Sequence, residues 1–316
     1  HMANYDSYEY THVKTPVSDL GKEKYHDESE YGWPAFGEPS YGAANTPITM
    51  KTDNDLYLSI HEADLTDYAG MTLERKTDKD YTLKSTLVPW PDGEIKVKGS
   101  TPMKTPWRTI QIAEKPGGLI ESNLIQNLND PCAIENTDWI RPTKYCGVWW
   151  SLHIGKETWN AGPKHGANTE NVKKYIDFAA DNGIHYVIAE GWNKYGVCGA
   201  ESGKPDFITP ADDFNMKEIL AYCQEKSVEF MAYNETGCDV DVYRSNWDET
   251  FSYYHDNNIT AIKVGHVGPR LAEKYHHHGQ WGVNYYHELM EKTAQYKIGL
   301  MVHEPIKPTG LVRTYP

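Results

Sequence analysis

Three glutamates each follow a short apolar run in the second half of the sequence. They are Glu190, Glu235 and Glu304. Two carboxyl groups that face one substrate are the requirement of glycoside hydrolysis, in which one protonates the leaving oxygen and the other activates water or attacks the sugar carbon directly. A single glutamate at such a place more often caps a helix or pairs with a lysine. Three that recur in the same local context favour the catalytic interpretation.

Aromatic and polar side chains recur at the same places. Trp149 and Trp150 end the first apolar run, Lys263 lies near the end of the fourth, and His303 directly precedes Glu304. Tryptophan and tyrosine combine a flat apolar face with a polar edge, and sugars present a matching mixture of C–H faces and hydroxyl groups. The sequence has 10 Trp and 23 Tyr against 6 Phe. This composition is compatible with a carbohydrate site, although most of these rings are expected in the core.

An alternation of apolar strands and amphipathic helices begins near residue 144 and must position these side chains. The predicted strands are 144–150, 185–189, 228–233, 259–264 and 298–302, and the predicted helices lie around 172–179, 216–225, 246–256 and 283–293. This pattern indicates a parallel sheet. A doubly wound sheet and a (β/α)8 barrel both begin in this way, but no GxGxxG follows the first strand, which disfavours a dinucleotide fold. In a barrel the carboxyl ends of the strands form the active-site face.

Residues 1–142 have a different character and are predicted to be β-structure. The runs 56–61, 81–87 and 107–112 read as strands, two of them with the apolar–polar alternation of a half-buried strand. Turn signals such as Pro91-Asp92-Gly93 separate them. This part of the chain is therefore expected to form part of a β-sandwich.

The composition disfavours several classes of function. The formal net charge of −14 argues against a nucleic-acid partner, since phosphate binding needs clustered lysine and arginine. No apolar run approaches the roughly 18 residues that span a membrane. The five cysteines are odd in number and form no CxxC pair, so buried free thiols are expected in place of a zinc site or a disulfide framework.

Four motifs resemble glycoside hydrolase family 97. They are YLSIHEA at 57–63, GPKHGA at 162–167, EGWN at 190–193 and HEPIKPTGLVRTYP at 303–316. The resemblance runs over nearly the whole chain and implies a β-supersandwich followed by a (β/α)8 TIM-type barrel. Residues 1–142 are then part of the N-terminal supersandwich domain. Residues 143–316 are the first five β/α units of the catalytic barrel, which is incomplete in this chain.

The resemblance implies hydrolysis of α-glucosidic or α-galactosidic bonds. The inverting α-glucosidase branch of the family has glutamates that match Glu235 and Glu304, which position and activate water. The retaining α-galactosidase branch has an aspartate nucleophile at the place of Gly265. Glycine at that place and glutamate at position 304 favour inversion, in which the carboxyl groups lie roughly 6.5–9.5 Å apart and leave room for water. An α-galactosidase of the same family is the alternative.

Calcium and sugar contacts are also implied by the resemblance. The family holds Ca²⁺ in its active site, which implies ligands at Glu62 and Glu304; hard carboxylate oxygens suit this ion. The positions that match sugar contacts or an apolar wall of the family site are Glu190, Lys263, His303, Trp149 and Trp150. The run His276-His277-His278 could bind transition metals adventitiously and is interpreted as a loop near the cleft.

The sequence departs from the family pattern in two respects. Inverting relatives often have two histidines where this chain has Tyr233 and Asn234, which leaves the exact substrate open. The general acid is expected in a segment beyond Pro316, so a missing C-terminal barrel segment or a partner chain would have to supply it, and the chain alone is expected to be inactive. The expected partner is an α-linked oligosaccharide, and the family suggests a periplasmic or secreted location. A catalytically incomplete glycan-binding fragment is a further alternative.

Overall fold

The computed structural model describes residues 14–20, 43–75, 81–194, 206–268 and 270–316. Cys198 and part of the predicted 1–142 domain lie outside these residues. The chain forms two compact units. The first contains residues 1–135, 268–289 and 304–316, and the second contains residues 136–267 and 290–303. No helix in the described part of the chain is long and apolar enough to cross a membrane.

Among its described residues, the first unit contains two antiparallel sheets of three strands each. One has the order β1-β4-β5 and consists of Ala43–Asn45, Met71–Arg75 and Leu83–Leu87. The other has the order β2-β3-β6 and consists of Ile48–Lys51, Tyr57–Ala63 and Trp107–Ala113. The prediction of β-structure in this part of the chain is confirmed. Its short helices are α1 (Gly117–Ile120) and α2 (Leu124–Asn127).

The second unit contains a parallel sheet of five strands in the order β11-β10-β9-β8-β7. The strands are β7 (Tyr145–Val148), β8 (Tyr186–Ala189), β9 (Glu229–Glu235), β10 (Ala261–Gly265) and β11 (Gly299–Val302). Each strand lies beside the one that precedes it in the sequence, as in a (β/α) barrel, whereas a doubly wound sheet reverses its strand order. The five strands predicted from the sequence are all present, and the sheet is not closed.

Helices connect these strands, and their ends follow local sequence signals. They are α3 (Trp150–His153), α4 (Thr169–Asp181), α5 (Met216–Lys226), α6 (Val240–Ser245), α7 (Trp247–Asp256) and α8 (Gln280–Gln295). The Asn168 side chain accepts a hydrogen bond from the Asn171 amide at 2.9 Å and caps α4. The helix predicted over 246–256 is present as α7, and the shorter helix α6, which was not predicted, precedes it, with Asn246 between the two helices.

The cysteines follow the predicted free-thiol pattern only in part. Cys223 and Cys238 are free and buried. Cys146 is partly exposed, and Cys132 is exposed in the loop that follows α2, so burial was wrong for Cys132. Its neighbours Asp130 and Glu135 are polar and the segment has no apolar period, so nothing in the local sequence directs this thiol into the core.

Candidate active site

A buried ion pair joins two strands at the carboxyl edge of the parallel sheet. Glu190 directly follows β8, and Lys263 lies in β10. The Lys263 Nζ donates to Glu190 Oε1 at 2.7 Å, and the Lys263 and Glu190 side chains are 5% and 3% exposed. Strand β9 lies between β8 and β10, so the long lysine side chain bridges a distance of two strand spacings, roughly 10 Å. The pair fixes two of the predicted sugar-contacting residues against each other.

The Glu190 carboxyl group has an unusual proton affinity. Burial raises the pKa of Glu190 to about 7, even though the Lys263 ammonium acts in the opposite direction. The Glu235 carboxylate raises it further because the two groups carry charge of the same sign. The arrangement therefore contains a carboxyl group that changes charge near neutral pH, which is a common property of catalytic and binding sites.

Aromatic rings form the wall beside this ion pair. The Lys263 Nζ lies 5.2 Å from the ring centre of Trp149. Trp149 in turn contacts Trp150 and His153, with ring centres 5.6 and 4.7 Å apart. Trp150 is 57% exposed, so an indole face is available to a ligand. A cavity of about 970 Å³ is lined by residues that include Trp149, Trp150, Glu190, Lys263 and His303.

Glu235 is the last residue of β9 and is almost fully buried. Its Oε2 accepts a hydrogen bond from the Tyr233 hydroxyl at 2.6 Å. Its Oε1 accepts from the backbone amides of Gly237 at 2.8 Å and Val267 at 3.3 Å. Burial raises the pKa of Glu235 above its ordinary value, and these three donors together with Lys263 offset only part of the rise by stabilising the ionised form. The carboxylate is therefore held in one orientation by donors on two sides.

Gly265 ends β10 next to this carboxylate. A Cβ atom at position 265 would lie 2.1 Å from Glu235 Oε2 and 2.6 Å from the Tyr233 hydroxyl. Both distances are far shorter than a normal non-bonded contact between carbon and oxygen. The space that a side chain at position 265 would need is thus filled by Glu235 and Tyr233.

His303 follows β11 at the same edge of the sheet. Burial lowers the pKa of its imidazole to about 4, and the charge of Lys263 acts in the same direction. The His303 backbone carbonyl lies 3.2 Å from His266 Nδ1. A neutral imidazole at this place can exchange hydrogen bonds with sugar hydroxyl groups, since each neutral ring has one donor and one acceptor nitrogen.

Glu304 belongs to the first unit and has an unusual backbone conformation. Its φ is +54°, in the left-handed region that is uncommon for residues other than glycine. The Tyr286 hydroxyl donates to the Glu304 carbonyl oxygen at 2.9 Å, and His277 Nδ1 lies 2.8 Å from the same hydroxyl. These hydrogen bonds therefore fix the backbone at Glu304, one of the two glutamates predicted to position and activate water. Such strained residues cluster at functional sites.

Glu62 is fully buried in strand β3 of the first unit and is surrounded by cations. Its Oε2 lies 2.6 Å from the Arg108 guanidinium, and its Oε1 lies 3.1 Å from Lys307 Nζ. The Met71 amide also donates to Oε1 at 2.8 Å. Both oxygens are engaged, and two positive charges beside them would repel a calcium ion.

The described residues contain no group of three or more histidine, cysteine, aspartate or glutamate side chains that could hold a metal ion. Glu62 therefore does not fit the predicted role of calcium ligand in this structure, and calcium stays a prediction from the family resemblance. The run His276-His277-His278 precedes α8 and is buried. Burial lowers the pKa of His277 to about 3. These side chains are part of the interior and form no metal site among the described residues.

Five of the predicted residues thus line one cavity in the second unit: Trp149, Trp150, Glu190, Lys263 and His303. Glu235 is held separately by its own hydrogen-bond donors. Sequence reasoning missed His153, which lies one helical turn after Trp149 and packs against it. It also treated Tyr233 only as a departure from the family pattern. The signal was available, because residues two apart on a strand point to the same face, so Tyr233 and Glu235 had to be neighbours.

Comparisons with known proteins define the class. The family model of glycoside hydrolase 97 matches residues 149–316, and that of the glycosyl hydrolase 97 N-terminal domain matches residues 1–131. The chain therefore belongs to glycoside hydrolase family 97. The predicted fold class, a partial β-sandwich followed by an incomplete (β/α) barrel, is confirmed.

Among solved structures, a family 97 enzyme from Pseudoalteromonas sp. strain K8 in complex with acarbose is 38% identical, with a TM-score of 0.81 over 87% of this chain and 43% of that chain. A glutamate-to-glutamine variant of a family 97 enzyme from the same strain, in complex with panose, matches equally well. A retaining α-galactosidase of Bacteroides thetaiotaomicron is 25% identical over 85% of this chain and 40% of its own length. The chain thus spans less than half the length of these relatives.

Proposed function

We propose that this chain is part of a glycoside hydrolase that cleaves α-glucosidic bonds in oligosaccharides with inversion. One observation carries the proposal: the space beside Gly265 is filled by Glu235 and Tyr233, with a Cβ at position 265 only 2.1 Å from Glu235 Oε2. In the retaining branch of the family, the resemblance places an aspartate nucleophile at this position. An aspartate side chain has no room here, so the nucleophile that retention requires is absent from this position.

In the proposed reaction Glu235 and Glu304 position and activate water for attack on the sugar carbon. Glu235 is suited to this role because the Tyr233 hydroxyl and the Gly237 amide hold its carboxylate in one orientation. Water that is placed before the reaction avoids much of the entropic cost of bringing the reactants together. A general acid must protonate the leaving oxygen, and we propose that it lies outside this chain.

The cavity supplies the means of sugar recognition. The Trp149 and Trp150 rings would pack against C–H faces of a sugar ring. The Glu190–Lys263 pair and His303 would exchange hydrogen bonds with its hydroxyl groups. The two Pseudoalteromonas structures in complex with acarbose and panose, both oligosaccharides, support a substrate of this class.

An α-galactosidase is the second candidate, because a retaining α-galactosidase is among the curated relatives at 25% identity. The filled space at Gly265 argues against its retaining mechanism in this chain. A glycan-binding protein without activity is the third candidate. The buried and oriented Glu235 argues against loss of activity, because a buried carboxylate is costly to keep without a function.

The product anomer decides between these candidates. The intact protein is mixed with α-glucosides and α-galactosides, and the anomeric protons of the first product are followed by NMR. Initial β-glucose from an α-glucoside is the expected result. Initial α-anomer, or turnover of α-galactosides alone, would contradict the proposal, and glycan binding without turnover would favour the third candidate.

Two controls accompany this assay. Glu235→Gln in the intact protein should remove turnover while glycan binding persists, because Gln keeps the shape of the side chain without its charge. The isolated chain of residues 1–316 should bind glycans without hydrolysing them, and measurable turnover by this chain would overturn the proposal that the acid lies elsewhere.

A further inference from the structure

The contact between Tyr233 and Glu235 has features that packing alone does not require. Tyr233 is 4% exposed, and its hydroxyl donates to Glu235 Oε2 at 2.6 Å. This distance is typical of a hydrogen bond to an ionised oxygen. The bond is made along one strand, between side chains two residues apart that point to the same face, so it depends on no loop. Strand β9 thus supplies both partners of the bond.

The same hydroxyl occupies the space beside β10. A Cβ at Gly265 would lie 2.6 Å from the Tyr233 hydroxyl and 2.1 Å from Glu235 Oε2. Gly265 pairs with Glu235 in the parallel register of β9 and β10. The tyrosine, the glutamate and the glycine therefore form one packing unit in which each residue restricts the other two.

We propose that Tyr233 is a positioning residue that favours the ionised form of Glu235 and holds its carboxyl group in a single orientation, and that it can do so only because residue 265 is glycine. The inference rests on the proposed function, since it assigns Tyr233 a role through the carboxylate that is to act on water. It also explains why the departure from histidine at position 233 is compatible with catalysis. The phenol supplies a hydroxyl donor to the carboxylate.

The other charged groups around Glu235 are known from the structure. Lys263 on β10 favours the ionised form of Glu235, and Glu190 after β8 repels it. The backbone amides of Gly237 and Val267 donate to Oε1. Removing the Tyr233 hydroxyl leaves all of these in place, so the change isolates the contribution of one donor.

The titration of Glu235 tests the proposal without any need for turnover. The chain is labelled with carboxyl-¹³C glutamate, and the Glu235 signal is identified by its loss in Glu235→Gln. In Tyr233→Phe its titration midpoint should move to higher pH, because a hydrogen bond to a charged group changes an ionisation constant by about tenfold or more. The matched control is Tyr222→Phe, which removes a hydroxyl that donates to the Asp177 carboxylate at 2.7 Å in the same unit. It should leave the Glu235 midpoint unchanged.

A double-mutant cycle tests the link to Gly265. Gly265→Ala should destabilise the wild-type chain more than it destabilises Tyr233→Phe. Without the Tyr233 hydroxyl, the new methyl group no longer meets that oxygen, and the Glu235 carboxyl group is free to move away from the methyl group. Non-additivity is expected between residues in contact. If Tyr233→Phe does not fold, Tyr233→His provides a smaller polar replacement for the titration.

Equal Glu235 midpoints in wild type and Tyr233→Phe, or additive costs in the cycle, would overturn the proposal. A failure of the proposed function is a separate outcome. It would appear as wrong products in the anomer assay while the titration and the cycle still showed the coupling.

Discussion

At the scale of single residues, the site depends on charges that neutralise each other in the interior. Glu190 and Lys263 are both nearly fully buried and lie 2.7 Å apart. Either charge alone would be costly to bury, and a buried pair becomes strongly destabilising when one partner is removed. The Glu190 pKa of about 7 shows that even the pair does not fully offset the loss of water. This residue should therefore make stability depend on pH.

The stability of the folded chain should depend on pH through Glu190. The pKa of Glu190 is raised from 4.5 to about 7 on folding, so the folded chain binds the proton more tightly than the unfolded chain. Protonated Glu190 therefore stabilises the folded chain by on the order of 3 kcal/mol below about pH 4.5, and this stabilisation is lost as the pH rises through about 7. Urea unfolding of wild type and Glu190→Gln between pH 4.5 and 8 measures this. The advantage of wild type over the variant should shrink as pH rises.

A control separates this effect from general charge repulsion. Glu170→Gln changes a glutamate whose side chain is 82% exposed, and its stability difference from wild type should not vary over the same pH range. A constant difference between wild type and Glu190→Gln would contradict the prediction. A difference that grew with pH would contradict its sign.

The residue types at this site could be predicted from the sequence, but their pairing could not. Glu190, Lys263 and His303 follow or end apolar runs, which is enough to place them at one edge of a parallel sheet. That Lys263 reaches Glu190 across β9 depends on the register and twist of three strands. Neither is encoded in a local pattern. The cations around Glu62 were missed for the same reason, since Lys307 is 245 positions away in the sequence.

At the scale of elements, glycine decides how closely strands approach. Gly147 in β7 has a φ of +154°, and a Cβ there would lie 1.8 Å from the carbonyl oxygen of Ile188 in β8. The two residues pair in the parallel register of β7 and β8. Backbone atoms in a paired strand cannot turn aside as a flexible side chain can, so the clash cannot be relieved locally.

Gly147→Ala should therefore destabilise the chain by roughly 3 kcal/mol, the upper part of the range for overpacked positions. The measurement is the free energy of unfolding in urea. Gly117→Ala is the matched control, because a Cβ at Gly117 meets nothing within 4 Å and alanine is favoured over glycine in a helix. Equal effects of the two substitutions would show that β7 and β8 can separate to accept a methyl group.

The elements themselves were predictable to a large extent. Apolar runs located all five parallel strands. The predicted strand 228–233 is shorter than β9, which continues to Glu235. Asn234 and Glu235 are polar, so a pattern based on apolar residues ends too early. Both are buried because each has hydrogen-bond partners, such as the Tyr243 and Tyr254 hydroxyls near Asn234.

At the scale of the whole molecule, the first unit is not continuous in the sequence. It contains residues 1–135 together with 268–289 and 304–316. The last of these segments provides Lys307, which is fully buried and donates to Thr46 at 2.9 Å. It also provides the carbonyl oxygens of Pro308 and Thr309, which lie 2.8 Å from His61 Nε2 and 2.9 Å from Asn129 Nδ2. A composition change near residue 142 cannot reveal a contribution from sequence so far away.

This topology predicts that residues 1–142 do not fold on their own, although composition suggests a domain there. Without residues 304–316, the buried Glu62 loses Lys307 at 3.1 Å, and removal of one partner of a buried ion pair costs about 3–5 kcal/mol. The hydrogen bonds to His61 and Asn129 contribute about 1 kcal/mol each. Their sum is comparable with the total stability of about 5–15 kcal/mol for a typical domain. Circular dichroism of the fragment during heating should show no cooperative transition.

Two variants of residues 1–316 separate the effect of losing the Lys307–Glu62 ion pair from the effect of shortening the chain. Lys307→Met leaves a fully buried carboxylate with one cation fewer and should lower the midpoint of thermal unfolding clearly. Lys104→Met removes a cation that is 63% exposed and lies 2.6 Å from Asp64, and surface pairs contribute only about 0–1 kcal/mol. A small effect of Lys307→Met, together with a cooperative transition in the 1–142 fragment, would show that the returning segment is not needed for folding. A large effect would show that this part of the sandwich depends on a lysine from the far end of the sequence.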